Sequence, residues 1–287
     1  MTHAWTDLTP RLVATDIDGT IVPHNGTVGP RTRAALHSCL DAGVGVVLVT
    51  GRPPRWLPPV VEATGLSTTA ICANGAIVID TATFEILGIS PIPRDTAQEV
   101  ISTLQRAVPD GVFAVETPDA LRTGPGYSAA RAAGRPTEGL VPTERSVTPS
   151  SSIEEMLAGE NIFKVVVVSL GSSPDDLLDV VRGEVGELVS VTRSSVGQAL
   201  VELGPRGVTK ASALAEHARH LGIEAADVIA FGDMPNDVEM LRWAGRGYAM
   251  QGAHPETVAA TEFTAPAAAE DGVAQVLEQM LAARIAA

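Results

Sequence analysis

Asp16-Ile17-Asp18-Gly19-Thr20 directly follows the apolar run Leu12-Val13-Ala14-Thr15, and that order decides the fold. The run reads as a short buried strand that ends in a tight, glycine-containing turn. Side chains alternate along an extended segment, so Asp16 and Asp18 leave the strand tip on the same side, with their carboxylates converging on one small volume. Converging anions repel, and such a pair is held by a cation or used to move protons. The local alternative is a strand followed by an Asx turn, for which Asp and Gly serve equally well.

Working outward, the pattern of a strand ending in polar residues recurs. Residues 30–42 have helical spacing and stop at Gly43. Val44-Gly45-Val46-Val47-Leu48-Val49 is an uninterrupted β-rich run of the kind covered on both faces, and it ends in Thr50-Gly51-Arg52. Pro53, Pro54, Pro58 and Pro59 punctuate a loop before a short helix over 60–64. A third run, 69–72, reaches Ala73-Asn74-Gly75, and 76–80 forms the return arm of a hairpin turned by Asn-Gly. Much later, 198–203 reads as a strand and Gly207-Val208-Thr209-Lys210 opens a helix over 211–221. The apolar stretch 227–231 then ends in Gly232-Asp233-Met234-Pro235-Asn236-Asp237, followed by a helix over 238–244. A strand over 248–250 and helices near 255–260 and 271–283 complete the alternation. Repeated strand–helix units predict an α/β core with a Rossmann-like parallel sheet. Ligands of such sheets sit beyond the carboxyl ends of the strands, where every polar cluster named above lies.

From about Ile86 the texture changes. The spacing predicts a helix over 95–108, a strand over 112–116 and a Pro/Gly/Ala/Thr-rich stretch over 118–149 without a clear period. Stretches of that kind are functional or mobile. A helix over 151–158 carries Glu154 and Glu155 in its first turn, where the macrodipole favours anions. A strand over 163–170, a helix over 174–183 and a strand over 188–192 follow. The expected division is a catalytic core made of residues 1–85 and 196–287, interrupted by an α/β domain over 86–195.

At 287 residues and 45% hydrophobic, the chain has ample material for a large core, and only 3% of it is aromatic. A Val/Leu/Ile/Ala interior suits a parallel sheet flanked by helices. A net charge of -14 argues against the basic surface that nucleic acids and anionic membranes select, and is compatible with a metal cofactor. A phosphate substrate would need a locally positive pocket. Cys39 and Cys72 lack the CxxC spacing of zinc or redox sites and read as small buried hydrophobes. No signal-peptide pattern or membrane-length apolar run is visible, so a cytoplasmic setting is expected. Of 20 basic residues only Lys164 and Lys210 are lysines. A lysine kept against that background is a compact point charge that the planar arginine fork would not replace.

Taken together, Asp16-Ile17-Asp18-Gly19-Thr20, Val49-Thr50-Gly51-Arg52, Lys210 and Gly232-Asp233-Met234-Pro235-Asn236-Asp237 resemble, in order and spacing, the four signature motifs of the haloacid dehalogenase superfamily of phosphatases. The likeness is closer to its Cof-like branch, which inserts an α/β cap after the second motif. Ala73-Asn74-Gly75-Ala76, Glu202-Leu203, Ala253-His254-Pro255-Glu256 and Glu270-Asp271-Gly272-Val273 also look like that branch. The resemblance covers both ends of the chain well and the cap poorly. It implies Asp16 as the nucleophile that forms an aspartyl-phosphate and Asp18 as the general acid and base. It implies Mg²⁺ held by Asp16, Asp233 and the backbone carbonyl of Asp18. Thr50 and Gly51 would bind the phosphoryl group and Lys210 would neutralise it. Asn236, Asp237, Asn74 and Arg52 take supporting places. Asp237 is open to a second reading as a helix N-cap, Asn74 as a plain turn residue, Arg52 as a structural pair and His254 as a loop residue. The branch commonly shows Gly-Asn-Ala where this chain has Gln251-Gly252-Ala253.

These roles give a Mg²⁺-dependent phosphomonoester hydrolase acting on a small phosphorylated metabolite, with a sugar phosphate as the expected substrate. A sugar phosphomutase on the same scaffold and a metabolite-binding regulator with vestigial catalysis are the alternatives. The cap sets the substrate, and Arg122, Tyr127 and Arg131 are its candidate contacts, each equally readable as solvated surface. Oligomeric state is not legible in the sequence.

Overall fold

The computed structural model describes residues 10–23, 26–133, 147–193 and 197–286. The chain runs β1 (Leu12–Thr15), α1 (Pro30–Asp41), β2 (Gly45–Val49), α2 (Pro58–Thr64), β3 (Thr69–Cys72), β4 (Ile77–Asp80) and β5 (Ile86–Ile89). It continues through α3 (Arg94–Ala107), β6 (Val112–Glu116), β7 (Leu121–Thr123), α4 (Tyr127–Ala133), β8 (Val147–Pro149), α5 (Ile153–Met156), β9 (Lys164–Val168), α6 (Pro174–Val185) and β10 (Val189–Thr192). The last part is β11 (Leu200–Pro205), α7 (Lys210–His220), β12 (Val228–Gly232), α8 (Val238–Trp243), β13 (Arg246–Met250), α9 (Pro255–Val258), β14 (Phe263–Ala265) and α10 (Gly272–Ala286).

Eight strands form the larger sheet in the order β14-β13-β12-β1-β2-β3-β4-β5. The six from β14 to β3 are parallel, and β4 and β5 extend the edge antiparallel. Its uninterrupted apolar strands are explained by helices on both faces. Val13, Val46, Leu48, Ile229 and Phe231 pack toward α1 and α10. Their neighbours Leu12, Ala14, Val47, Val49, Val228 and Ala230 pack toward α7 and α8. Each strand therefore buries both sides of its pleat, and each fully buried aliphatic side chain contributes about 1.5–3 kcal/mol. Cys39 and Cys72 belong to this interior, and burial pushes both thiols up to about 12.

The smaller sheet has the order β10-β11-β9-β6-β7-β8. One face, with Phe113, Val115, Val165, Val167, Val201 and Leu203, packs on α3 and α6. The other, with Ala114, Val166, Val168 and Leu200, carries Tyr127 and Ala130 of α4.

Sheet membership moves both expected seams. Strand β5 lies beyond the expected boundary at 85 yet completes the larger sheet, while β11 lies beyond the boundary at 196 yet pairs with β9 and β10 in the smaller one. Hydrogen-bonded neighbours decide such membership, and a local change of composition does not report them. The stretch expected to be aperiodic over 118–149 contains β7, α4 and β8, elements too short to show a period; residues 134–146 of that stretch lie outside the described residues. Among the described residues no helix is long and apolar enough to cross a membrane.

Candidate active site

Register places the site. Thr15, the last residue of β1, lies opposite Leu48 of β2 and Phe231 of β12. The next residues of all three strands therefore emerge side by side, and the Asp16 N–H donates to the Phe231 carbonyl at 3.0 Å. Asp16, Thr50 and Asp233 are brought to one edge by parallel pairing alone.

Lys210 reaches them from the first turn of α7. Thr209 caps that helix, accepting from the Ser212 N–H, while the Ser212 hydroxyl accepts from the Thr209 N–H. A cation at a helix N-terminus opposes the macrodipole. Two carboxylates compensate, for the ammonium donates to Asp16 Oδ1 at 2.6 Å and to Asp237 Oδ1 at 2.7 Å. Asp237 stands at the N-cap position of α8, but its side chain makes no cap hydrogen bond there. Its other oxygen accepts from the Asp233 and Met234 N–H groups, both at 3.0 Å, so this fully buried acid shapes the loop that carries Asp233 and holds the lysine. Gly232 makes room for it, since a Cβ there would come within 2.5 Å of the Asp237 side chain.

One carboxylate oxygen from each of Asp16, Asp233 and Asp237 lies within 4.8 Å of the other two. Burial raises Asp16 to about 7, although Lys210 pulls the other way. Burial, then the charges of Asp16 and Asp237, raise Asp233 to about 9. For Lys210 burial opposes the charge, but Asp16 and Asp237 outweigh it and hold the ammonium above the ordinary lysine value. Three buried acids against one lysine leave an excess of negative charge. An all-oxygen cluster of this kind suits a hard divalent cation such as Mg²⁺.

Asp18 departs from the expected convergence. Its half-exposed carboxylate turns to Arg52, which donates from Nε to Oδ2 at 2.7 Å and from a terminal nitrogen to Oδ1. Arg52 is therefore a pair for the second acid, and Asp16 and Asp18 face different cations. Thr50 Oγ1 accepts from the Arg52 N–H at 3.1 Å, and the Thr50 carbonyl accepts from the Asn74 N–H at 3.0 Å. Asn74 does occupy the turn, with φ 56°, and its amide also bridges Glu202 at 3.0 Å and Asn236 at 2.9 Å. Gly75, at φ +109°, packs so closely that a Cβ would sit 2.4 Å from the Thr209 carbonyl oxygen.

The smaller unit supplies residues that motif reasoning did not assign. Lys164, at the start of β9, donates to the Gly51 carbonyl at 2.6 Å and to Glu202 Oε1 at 2.5 Å. Its rarity as one of two lysines was the available signal. Arg55 pairs with the buried Glu116 at the end of β6, and Arg193, bound to Asp175 at 2.7 Å, reaches the His254 ring at 3.0 Å. His254 stands at the N-cap position of α9, in keeping with a loop role. The candidate contacts on the small unit have partners within that unit. Arg122 pairs with Asp119 and Thr117, Tyr127 of α4 is buried against the sheet, and Arg131 donates to Gln198. A cavity of about 270 Å³ is lined by Lys210, Asn74 and Asn236 and by Ser190 and Thr192 of β10.

A sequence model of the haloacid dehalogenase-like hydrolases matches residues 13–277. A 5-amino-6-(5-phospho-D-ribitylamino)uracil phosphatase of Bacillus subtilis is 26% identical, over 96% of this chain and 100% of its own. A pyridoxal phosphate phosphatase of Escherichia coli is 27% identical, over 94% and 98%. Among solved structures, a subclass IIB sugar phosphatase of the superfamily superposes with a TM-score of 0.77 at 21% identity, over 94% and 98% of the two chains. The smaller sheet with its helices is thus the cap of this fold. The chain belongs to the haloacid dehalogenase-like hydrolases and is a capped phosphatase of that family.

Proposed function

We propose that the enzyme hydrolyses phosphomonoesters of small metabolites, sugar or sugar-alcohol phosphates in particular, through an aspartyl-phosphate on Asp16. The observation that carries the reading is the division of labour between two acids two residues apart. Lys210 takes one oxygen of the buried Asp16 and fixes the carboxylate, leaving the other oxygen to attack phosphorus. Asp18 is half-exposed at the mouth of the site, where a leaving oxygen can reach it. In the first step the Asp16 oxygen bonds to phosphorus as the ester P–O bond breaks, and Asp18 supplies the proton to the departing alkoxide. In the second, water attacks the same phosphorus, Asp18 takes its proton, and Asp16 leaves as carboxylate with inorganic phosphate. The Asp18–Arg52 fork must open for either transfer.

Asp16 and Asp233 would hold a magnesium ion, with the Asp18 backbone carbonyl as a further ligand; when bound, the ion supplies charge neutralisation for the transferring phosphoryl group. Both Asp237 oxygens already accept hydrogen bonds, which favours a supporting role over ligation. Thr50 and Lys210 would face the equatorial oxygens. The ribityl phosphate and sugar phosphatase activities named for the relatives support the substrate class.

The test is a panel of phosphorylated metabolites assayed for phosphate release with Mg²⁺ and with chelator, in the wild type and in Asp16→Asn. Metal-dependent release from sugar phosphates, abolished in the variant, is the expected result. Release that survives in Asp16→Asn, or none from any member of the panel, overturns the reading.

A further inference from the structure

We infer that Lys164, a cap residue, is a positioning residue for phosphoryl transfer, acting on Thr50 through the Gly51–Arg52 peptide. The inference rests on the phosphatase reading above. The Gly51 carbonyl and the Arg52 N–H belong to one planar trans peptide unit and point in opposite directions. Lys164 holds the carbonyl end at 2.6 Å, and the N–H end donates to Thr50 Oγ1 at 3.1 Å. An accepted hydrogen bond fixes the oxygen of Thr50 and leaves its own hydrogen free to donate elsewhere, as a phosphoryl ligand requires. Tilting that peptide would turn the hydroxyl.

Three observations separate this from a mere contact between domains. First, Lys164 is an expensive choice if only packing is at stake. Alternation along Lys164-Val165-Val166-Val167-Val168 puts it on the face of Val166 and Val168, where a valine would bury without desolvating a charge. Second, its charge is balanced by Glu202 of β11, also in the cap, so the ion pair needs no core partner; the hydrogen bond to Gly51 is additional. Third, Glu202 extends the same grip, since its second oxygen accepts from Asn74, whose N–H holds the Thr50 carbonyl and whose side chain accepts from Asn236. The two ends of Thr50 are thus fixed by two cap residues, one through Gly51–Arg52 and one through Asn74. The phosphate-facing loop is complete only when the cap is seated.

The experiment is a double-mutant cycle on the full-length Mg²⁺-loaded enzyme with p-nitrophenyl phosphate as substrate. Because Lys164→Met takes the ammonium away from the buried Glu202, Lys164→Met/Glu202→Gln, which removes both charges, is run beside it as the folded control. The expected result is a kcat reduced by about tenfold or more in both, with KM little changed. In a Thr50→Ala background, Lys164→Met should add no further loss, because its route to the phosphoryl group is already gone. An unchanged kcat in a folded variant, or losses that multiply with that of Thr50→Ala, overturns the inference while leaving the phosphatase reading intact. A wild type inactive on p-nitrophenyl phosphate and on every metabolite of the panel removes both.

Discussion

Arg52 grips Asp18 with two nitrogens, Nε at 2.7 Å from Oδ2 and a terminal nitrogen on Oδ1, while Asp16 two residues earlier is held by Lys210. The fork holds the Asp18 carboxylate turned aside until something competes for the guanidinium or the carboxylate. Asp18→Asn should lower kcat by about 10²- to 10⁴-fold, the usual worth of a general acid and base. Arg52→Met should cost less than Asp18→Asn, since the acid itself remains. Steady-state kinetics of both variants on one substrate give the order, and the reverse order would show that Arg52 does more than hold Asp18.

Lys210 sits between Asp16 and Asp237 with 1% of its surface exposed. Removing one member of a buried ion pair leaves an uncompensated charge, typically at a cost of about 3–5 kcal/mol. Lys210→Met should therefore be both inactive and destabilised in the metal-free protein. Asp237→Asn, which also weakens the bonds to Asp233 and Met234 N–H, should lose stability too while keeping the lysine near Asp16. Urea denaturation with and without Mg²⁺ tests both.

Asp16 at about 7 and Asp233 at about 9 lie above the ordinary carboxyl value of 3.8. Between 3.8 and those values the folded protein binds more protons than the unfolded chain, so stability falls as pH rises. The metal-free enzyme should accordingly melt at lower temperature at pH 9 than at pH 5, and Mg²⁺ should raise the melting temperature more at pH 9. Binding should also release protons near neutrality, visible in calorimetry as a dependence of the heat on buffer ionisation enthalpy. A metal-free melting temperature that climbs over this range would contradict the arrangement of charges.

Gly75 at φ +109° lies against the Thr209 carbonyl, one residue before Lys210. Gly75→Ala combines an unfavourable backbone with a Cβ 2.4 Å from that oxygen. It should cost more than about 1 kcal/mol and lower kcat by shifting the start of α7. Thermal melts and kinetics check the two effects, and Gly43→Ala, also at positive φ but with open space around its Cβ, isolates the backbone contribution.

The sequence by itself determined the strand–helix alternation and the strand tips where Asp16, Thr50 and Asp233 gather. Apolar runs covered on both faces and the turn residues that end them are local facts, and parallel pairing then has few ways to align them. Tertiary structure alone decided which sheet owns β5 and β11, which cation each acid of the first motif meets, and that the side chain of Asp237, at the N-cap position of α8, holds a lysine and makes no cap bond to that helix. For the acids the partners lie far along the chain: Arg52 is 34 residues from Asp18, Lys210 is 194 from Asp16, and Lys210 is 27 from Asp237. No periodicity or spacing encodes such distant contacts. The cap shows the same limit, for its short elements carry no period, and the reach of Lys164 to Gly51 follows only from two sheets packed at one edge.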